Sequence, residues 1–247
     1  MLKNMQRTNV VSRRLTAKPT RVFLLAVLGA VMLWMQQADA QVRVMPLGDS
    51  LTSSVDGQAS YRYWLWQKLQ AGGFHVDFVG TLWGVGDGVS GIFPDFQQNH
   101  EGHEGATTDD ILNGIADWAT EAQPDVVLLL IGVNDFQQGR SPSHALTNTR
   151  KIVHALRAVN PNVAIVLAML PPVPGQMNKD QAYNSALVST APGWSTRKSP
   201  IKIVNLWSNF NPSSDTLDGQ HPNASGEKKY ANRFYNPLVS ILHRLGQ

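Results

Sequence analysis

Three residues of the chain have the types needed for acyl transfer through a serine. Ser50 follows a short apolar run, and Asp218 and His221 lie close together near the carboxyl end. A serine becomes a nucleophile when a base lies within hydrogen-bond reach and a carboxylate orients that base. These types predict that Ser50 is the nucleophile, that His221 is its base, and that Asp218 orients His221.

Three N–H groups are candidates for binding the negative charge of a tetrahedral intermediate. They are the backbone amides of Ser50 and Gly105 and the side-chain amide of Asn134. Gly48 lets the chain turn sharply before Ser50, which lifts the serine above a strand. Such donors form an oxyanion hole, and losing one costs about 3–4 kcal/mol of transition-state stabilisation.

These residues are far apart in sequence, so a scaffold must bring them together. Apolar β-rich runs alternate with segments of helical period, which is typical of βαβ units and a parallel sheet. Open α/β sheets bind ligands at the carboxyl ends of their strands, where the candidate residues are found. The predicted strands cover residues 42–47, 75–79, 126–131, 163–169 and 201–206.

The segments between the strands predict helices and one long loop. Ser141 and Pro142 predict a helix start, because serine caps helices and proline suits the first helical position. Pro237 predicts an interruption of the final helix, because proline lacks a backbone N–H. Residues 80–106 are rich in glycine and show no periodicity, which indicates a long irregular loop. Other helices are predicted over 60–72, 107–119 and 178–190.

The first forty residues are typical of an export signal. They contain a basic segment, an apolar run of 14 residues over 22–35, and the sequence Ala38-Asp39-Ala40. The apolar run is shorter than the roughly 20 residues of a membrane span. We therefore predict a signal peptide over 1–40, cleaved after Ala40, and a single domain over 41–247. The mature protein is predicted to be periplasmic or secreted, without stable membrane insertion.

Charge and cysteine content exclude several classes of function. The first forty residues hold six of the 21 basic and one of the 18 acidic residues, which leaves 15 against 17 and a net charge of −2. A nucleic-acid partner is not predicted, because the mature chain has no basic excess to neutralise phosphates. The chain has no cysteine, which excludes disulfides, a thiol nucleophile and cysteine metal sites.

Four blocks in chain order resemble the GDSL, or SGNH, hydrolases. They are Gly48-Asp-Ser-Leu-Thr52, Gly105, Gly132-x-Asn134-Asp135 and Asp218-x-x-His221. The resemblance implies serine esterase or lipase chemistry without a cofactor or a metal. It also implies a three-layer α/β/α sandwich with a flavodoxin-like, five-stranded parallel sheet of order 2-1-3-4-5. The roles of Ser50, Asp218 and His221 as the triad, and of Ser50, Gly105 and Asn134 as the oxyanion hole, carry over from the matching positions.

A narrower set of motifs looks like the acetylxylan esterases of carbohydrate esterase family three. The set includes Tyr61-Arg62, His100-Glu-Gly-His103 and Asp218-Gly219 before His221-Pro222-Asn223. Members usually read Ser-Gly-Trp where this chain has Glu104-Gly105-Ala106. This departure keeps the glycine but removes an aromatic ring and adds a carboxylate. The likeness implies removal of acetyl groups from carbohydrate of the acetylxylan type.

Other functions remain open at this point. A lipid-directed esterase, lysophospholipase or thioesterase would use the same triad, and transfer of acetyl onto a sugar would use the same residues. A carbohydrate-binding protein without catalysis is an alternative from another class.

Several residues also have alternative roles. Ser50 is alternatively only a helix cap, and Asp218 only a turn residue. The run from His100 to Glu104 contains metal-ligand types but lacks the i, i+4 histidine spacing of a helical zinc site.

Five positions in or beside loops have simpler predicted roles. Asp49 and Asp135 are expected to hydrogen-bond within their own loops. Trp83, Trp194 and Trp207 lie in or beside predicted loops, where each either stacks on a sugar ring or packs into the core.

Overall fold

The computed structural model describes residues 41–86 and 88–247. The predicted signal peptide and its cleavage after Ala40 lie outside the described residues and stay predictions. Within the described ranges, no helix is long and apolar enough to cross a membrane.

A parallel sheet forms the centre of the described chain. Its strands are Val42–Gly48 (β1), Val76–Phe78 (β2), Leu82–Trp83 (β3), Asn99–Gly102 (β4), Val126–Leu130 (β5), Ala164–Ala168 (β6) and Ile201–Val204 (β7). β1 pairs with β2 on one side and β5 on the other, and β6 and β7 continue beyond β5, all parallel. The five predicted strands are therefore present in the predicted order 2-1-3-4-5.

The prediction of a wholly irregular loop over 80–106 is wrong, because β3 and β4 form within it. β4 runs parallel to the last residues of β1, with Gly48 opposite Gly102, and β3 pairs antiparallel to β4. These strands have two and four residues, and β4 reads Asn-His-Glu-Gly. They carry no alternation of apolar residues, so hydrophobic periodicity does not reveal them.

Helices cover both faces of the sheet and complete the predicted three-layer α/β/α sandwich. α2 packs against α8, and α3 packs against α5, which also contacts α6. β5 and β6 are buried along their whole length, as expected for central strands of a covered parallel sheet. The helices are Ser50–Ser53 (α1), Ser60–Ala71 (α2), Thr108–Ala122 (α3), Val133–Gln137 (α4), Pro142–Val159 (α5), Met177–Thr190 (α6), Pro212–Asp215 (α7) and Ala224–Arg244 (α8), with a 3₁₀ turn over Ala191–Trp194.

Two predictions about helix boundaries have different outcomes. The Ser141 hydroxyl accepts a hydrogen bond from the His144 amide at 3.1 Å, and Pro142 is the first residue of α5, as predicted. The predicted interruption of the last helix is wrong, because α8 continues through Pro237. Phe234 and Leu238 are fully buried on either side of Pro237. Their packing on the core holds the helix together across the missing hydrogen bond.

Arg62 on α2 is a fully buried cation that joins two segments of the chain. Its guanidinium donates to the carbonyl oxygens of Thr52 and Ser53, both at 3.0 Å, at the end of α1. It also donates to the carbonyl oxygens of Gly84, after β3, and Gln98, before β4. Arg62 thereby fastens the turn after β1 to the segment that leads towards Gly105.

We expect Arg62→Met to lower the free energy of unfolding by more than about 3 kcal/mol, because each buried carbonyl left without a donor costs about 1–3 kcal/mol. Urea unfolding of the variant and the wild type measures this difference. Arg197→Met is the matched control, since Arg197 is exposed, and should stay within about 0.5 kcal/mol of the wild type. Equal stability of Arg62→Met and wild type would contradict the joining role of Arg62.

Candidate active site

Ser50 is placed by a sharp turn at the carboxyl end of β1. A Cβ atom on Gly48 would lie 2.0 Å from the Leu130 carbonyl oxygen, so only glycine fits there. The next residue, Asp49, is the N-cap of α1, and its carboxylate accepts a hydrogen bond from the Leu51 amide at 2.9 Å. Ser50 is therefore not the cap of this helix. It is the first helical residue, where backbone N–H groups have no acceptor within the helix.

The structure brings the three predicted triad residues into one chain of hydrogen bonds. The Ser50 hydroxyl lies 2.9 Å from Nε2 of His221, although the two residues are 171 positions apart. Nδ1 of His221 lies 2.6 Å from the Asp218 carboxylate. This is the geometry in which a histidine can remove a hydroxyl proton while a carboxylate orients the ring.

A tight turn carries both Asp218 and His221. The second carboxylate oxygen of Asp218 accepts hydrogen bonds from the amides of Gln220 and His221 at 2.9 and 2.8 Å. The Leu217 amide donates to the His221 carbonyl oxygen at 2.8 Å, which closes the turn. Asp218 therefore combines the two roles considered for it, because one oxygen shapes the turn and the other contacts the imidazole.

Asp218 is ionised over the whole ordinary pH range. Partial burial raises its pKa, but the hydrogen bonds from the His221 ring and from the two backbone amides outweigh that effect and hold the pKa at about 2. A carboxylate in this state stabilises the imidazolium that forms when the histidine accepts a proton.

Gly105 and Asn134, the other predicted oxyanion-hole residues, lie beside each other. The Asn134 side-chain amide donates to the Ala106 carbonyl oxygen at 2.9 Å, and an amide nitrogen carries a second hydrogen. Gly105 has a φ of +70°, and no heavy atom lies within 4 Å of a Cβ built on it. Asn134 is thus fixed with one hydrogen still available, next to open space at Gly105.

Asp135 does not bond within its own loop, and that prediction is wrong. Its carboxylate accepts hydrogen bonds from the backbone amide and the hydroxyl of Thr108 at 2.8 and 2.6 Å. Thr108 is the first residue of α3. The backbone amides at the start of a helix have no acceptor within the helix, so they attract a carboxylate. Asp135 therefore fastens the helix that carries Asn134 to the segment that carries Gly105, whereas Asp49 bonds within its own loop as expected.

His100, Glu101 and His103 of the 100–104 run are held by hydrogen bonds within the fold. His103 Nε2 lies 2.8 Å from the Glu101 carboxylate, and its ring stacks on Trp118 at a centroid distance of 3.9 Å. Glu101 also accepts hydrogen bonds from the amide and hydroxyl of Thr81. His100 instead accepts one from the Gly102 amide. Across residues 41–86 and 88–247, no group of three or more His, Cys, Asp or Glu side chains could hold a metal ion.

Glu227 is a buried residue of the site that sequence reasoning missed. It lies in the first turn of α8, shortly after His221. Its carboxylate accepts hydrogen bonds from the Ser60 amide at 2.8 Å, the Ser54 hydroxyl at 3.1 Å and the Trp64 indole at 3.1 Å. The sequence signal for this role is an acidic residue at a position where the helical period of α8 places buried side chains. Glu227 holds the helix that follows His221 against the loop that follows Ser50.

Comparisons with known proteins identify the family of the chain. A sequence profile of the GDSL-like lipase/acylhydrolase family matches residues 47–229, a range that contains every predicted site residue. A multidomain esterase of Ruminococcus flavefaciens is 29% identical over 231 residues, which cover 84% of this chain. The match covers only 30% of the length of that esterase.

Solved structures also match this chain. An acetyl esterase solved with an acetate ion has 27% identity and a TM-score of 0.75, over 83% of this chain and 100% of that one. A carbohydrate esterase of family 3 from Talaromyces cellulolyticus has 28% identity and a TM-score of 0.75, over 83% and 99%. These matches confirm the predicted fold and the predicted resemblance to GDSL hydrolases and family-three carbohydrate esterases.

We expect Asp218→Asn to lower kcat by about 10⁴-fold on any ester that the protein cleaves, because an asparagine N–H facing Nδ1 favours the wrong imidazole tautomer. Steady-state kinetics with an aryl acetate measures the change. Asp117→Asn, on the exposed side of α3, is the control and should keep wild-type activity. An unchanged kcat in Asp218→Asn would show that the carboxylate does not orient His221.

Asp49 carries a fully buried carboxyl group. One of its oxygens has no hydrogen-bond partner in the described part of the chain. Burial raises its pKa to about 7, with a smaller upward contribution from Asp135 and an opposing one from the Leu51 amide. The folded protein therefore holds this proton more tightly than the unfolded chain. As a result, the free energy of unfolding falls as the pH rises through about 4–7.

Asp49→Asn should remove this pH dependence, because asparagine keeps an oxygen for the Leu51 amide and carries no charge. The free energy of unfolding of the variant, relative to wild type, should increase by a few kcal/mol between pH 4 and pH 8. Urea unfolding at several pH values measures it, with Asp117→Asn as the control. A difference between Asp49→Asn and wild type that does not vary with pH would mean that Asp49 keeps its charge on folding.

Proposed function

Because the chain belongs to the GDSL-like lipase/acylhydrolase family, we propose that it is an exported serine esterase that removes acetyl groups from an acetylxylan-type polysaccharide. The hydrogen-bonded series Ser50–His221–Asp218, beside Gly105 and Asn134, carries the proposal. The acetyl group and the carbohydrate are supported by the similarity to the acetyl esterase and to the family 3 carbohydrate esterase.

In the first half-reaction, the ester is transferred to the protein. The Ser50 oxygen attacks the carbonyl carbon of the acetyl ester while Nε2 of His221, 2.9 Å away, takes the hydroxyl proton. The bond between the carbonyl carbon and the sugar oxygen then breaks, and His221 gives its proton to that oxygen. Asp218 stabilises the imidazolium and accepts no proton itself.

In the second half-reaction, water releases the acetyl group. His221 takes a proton from a water molecule, whose oxygen attacks the acyl carbon, and returns that proton to Ser50 as the acyl–serine bond breaks. The products are acetic acid and the deacetylated sugar. Only groups of this chain and water take part in these steps.

The oxyanion of each tetrahedral intermediate is proposed to lie between the Ser50 and Gly105 amides and the Asn134 side chain. The hydrogen bond from Asn134 to the Ala106 carbonyl keeps the asparagine in place before substrate binds. Donors held in this way need no reorganisation in the transition state, which is the main source of their catalytic effect.

Export is proposed from the sequence of residues 1–40, which have the composition of a signal peptide. A polysaccharide is too large to cross the cytoplasmic membrane, so we expect an enzyme that deacetylates it to be exported from the cytoplasm. The substrate is then the only partner that the proposed reaction requires.

The test measures acetate released from acetylated xylan and from a short-chain aryl acetate. We expect the wild type to act on both substrates and Ser50→Ala to lose about 10⁴-fold or more on both. Ser213→Ala, which changes an exposed serine outside the triad, is the control and should be unaffected.

Each result of this test has a distinct meaning. Residual activity of Ser50→Ala near the wild-type level would contradict the nucleophile. Cleavage of the aryl ester alone would leave the triad intact and contradict the polysaccharide substrate. In that case long-chain acyl esters, the substrates of a lipid-directed esterase, are tested next.

A further inference from the structure

Trp207 is an aromatic residue that does not pack in the hydrophobic core. It follows β7 at the carboxyl edge of the sheet, the edge that also carries Ser50. Its side chain is half-buried, but it belongs neither to the hydrophobic core nor to the side chains packed against that core. Among the described residues, no other aromatic ring or cation stacks on its indole.

The other tryptophans considered as sugar contacts have different surroundings. Trp194 packs against the core and contacts the Arg150 guanidinium, so it has a structural role. Trp83 is 48% exposed on β3, at the opposite end of the sheet order from β7. Trp207, in contrast, is half-buried and borders two cavities.

Trp207 is the common wall of two adjoining cavities. The smaller cavity has a volume of about 270 Å³ and is also lined by Gln181, Ser185 and Val188 of α6. The larger has a volume of about 540 Å³ and is also lined by Pro172, Met177, Asn209 and Asn211. The indole therefore borders both cavities, which together are called the Trp207 groove.

The lining of this groove suits a neutral sugar. Within the described residues, the side chains that line the two cavities are apolar, aromatic, amide or hydroxyl groups. Gln181 and Ser185 lie one turn apart on α6, and within residues 41–86 and 88–247 their side chains make no hydrogen bond. An aromatic face beside unpaired amide and hydroxyl groups matches a pyranose, which has an apolar face and a rim of hydroxyls.

The segment that lines the larger cavity also reaches the turn of the candidate triad. Pro172 lines the larger cavity, and Pro174, two residues later, lies against the turn that carries Asp218 and His221. Its Cγ atom is 3.5 Å from the position that a Cβ on Gly219 would occupy. Residues 172–174 therefore link the larger cavity beside Trp207 to that turn.

We propose that Trp207 and its two cavities form a subsite that binds a neutral pyranose unit of the polysaccharide, away from the ester that is cleaved. The proposal rests on the proposed function, because it assigns the groove to the same substrate. It predicts that Trp207 affects the binding of a polymer and not the chemistry at Ser50.

The test compares Trp207→Ala with Trp83→Ala, which removes an exposed indole elsewhere. On acetylated xylan, Trp207→Ala should raise KM by about 3- to 10-fold with little change in kcat, whereas Trp83→Ala should behave as wild type. On the aryl acetate, which is too small to reach the groove, both variants should match wild type. Trp207→Phe keeps an aromatic face and should restore most of the polymer activity.

Three results would overturn the subsite. An unchanged KM of Trp207→Ala on the polymer would show that the groove does not bind the substrate. An equal loss on both substrates would assign Trp207 a structural role, and a loss confined to long-chain acyl esters would assign the groove to an acyl chain.

Failure of the proposed function can be separated from failure of the subsite. Calorimetric titration of Ser50→Ala with an unsubstituted xylan oligosaccharide measures binding without catalysis. Binding that Trp207→Ala weakens supports the subsite even if the protein releases no acetate from xylan. Absence of binding to Ser50→Ala, with acetate release by wild type, overturns the subsite alone.

Discussion

The buried charge of Arg62 is the constraint on which the site depends. Carbonyl groups at the end of a helix lack donors within the helix, and α1 is too short to supply them. The planar guanidinium offers five donors in a fixed arrangement, so a single side chain can serve α1 and the residues around β3 and β4 together. A lysine, with one nitrogen, could not span these acceptors. Ser50, at the start of α1, and Gly105, after β4, are therefore held by one frame.

Two buried carboxylates extend this frame to the remaining parts of the site. Asp135 joins the helix of Asn134 to the start of α3, and Glu227 joins α8 to the loop after Ser50. These acidic residues bind backbone amides and hydroxyls, whereas the more exposed Asp218 binds the imidazole. The two buried carboxylates therefore hold elements of the fold in place, whereas the more exposed Asp218 contacts the imidazole. Electrostatic catalysis requires donors that are already held in position.

The sequence predicts the sheet well because central parallel strands are continuous apolar runs, as β5 and β6 show. It also predicts which residues meet, because Ser50 and His221 both follow strands that end at the same edge. It does not predict β3 and β4, whose pairing depends on the end of β1 and not on their own residues. The same limit applies to Asp135, whose partner Thr108 lies on another element, and to Pro237, where packing on the core overrides a local rule. Tertiary contacts decide each of these cases.

The connection between β7 and α8 unites the groove and the triad in one segment. It contains Trp207 at its start and the turn of Asp218 and His221 at its end, and α8 holds both parts. Arg233 of α8 donates to the carbonyl oxygens of Asn205 and Ser208, on either side of Trp207. Lys229 of α8 lies 2.6 Å from the buried Asp215 carboxylate, which precedes the catalytic turn. Because one helix fixes both ends of the connection, the fold sets the distance between Trp207 and the turn of Asp218 and His221.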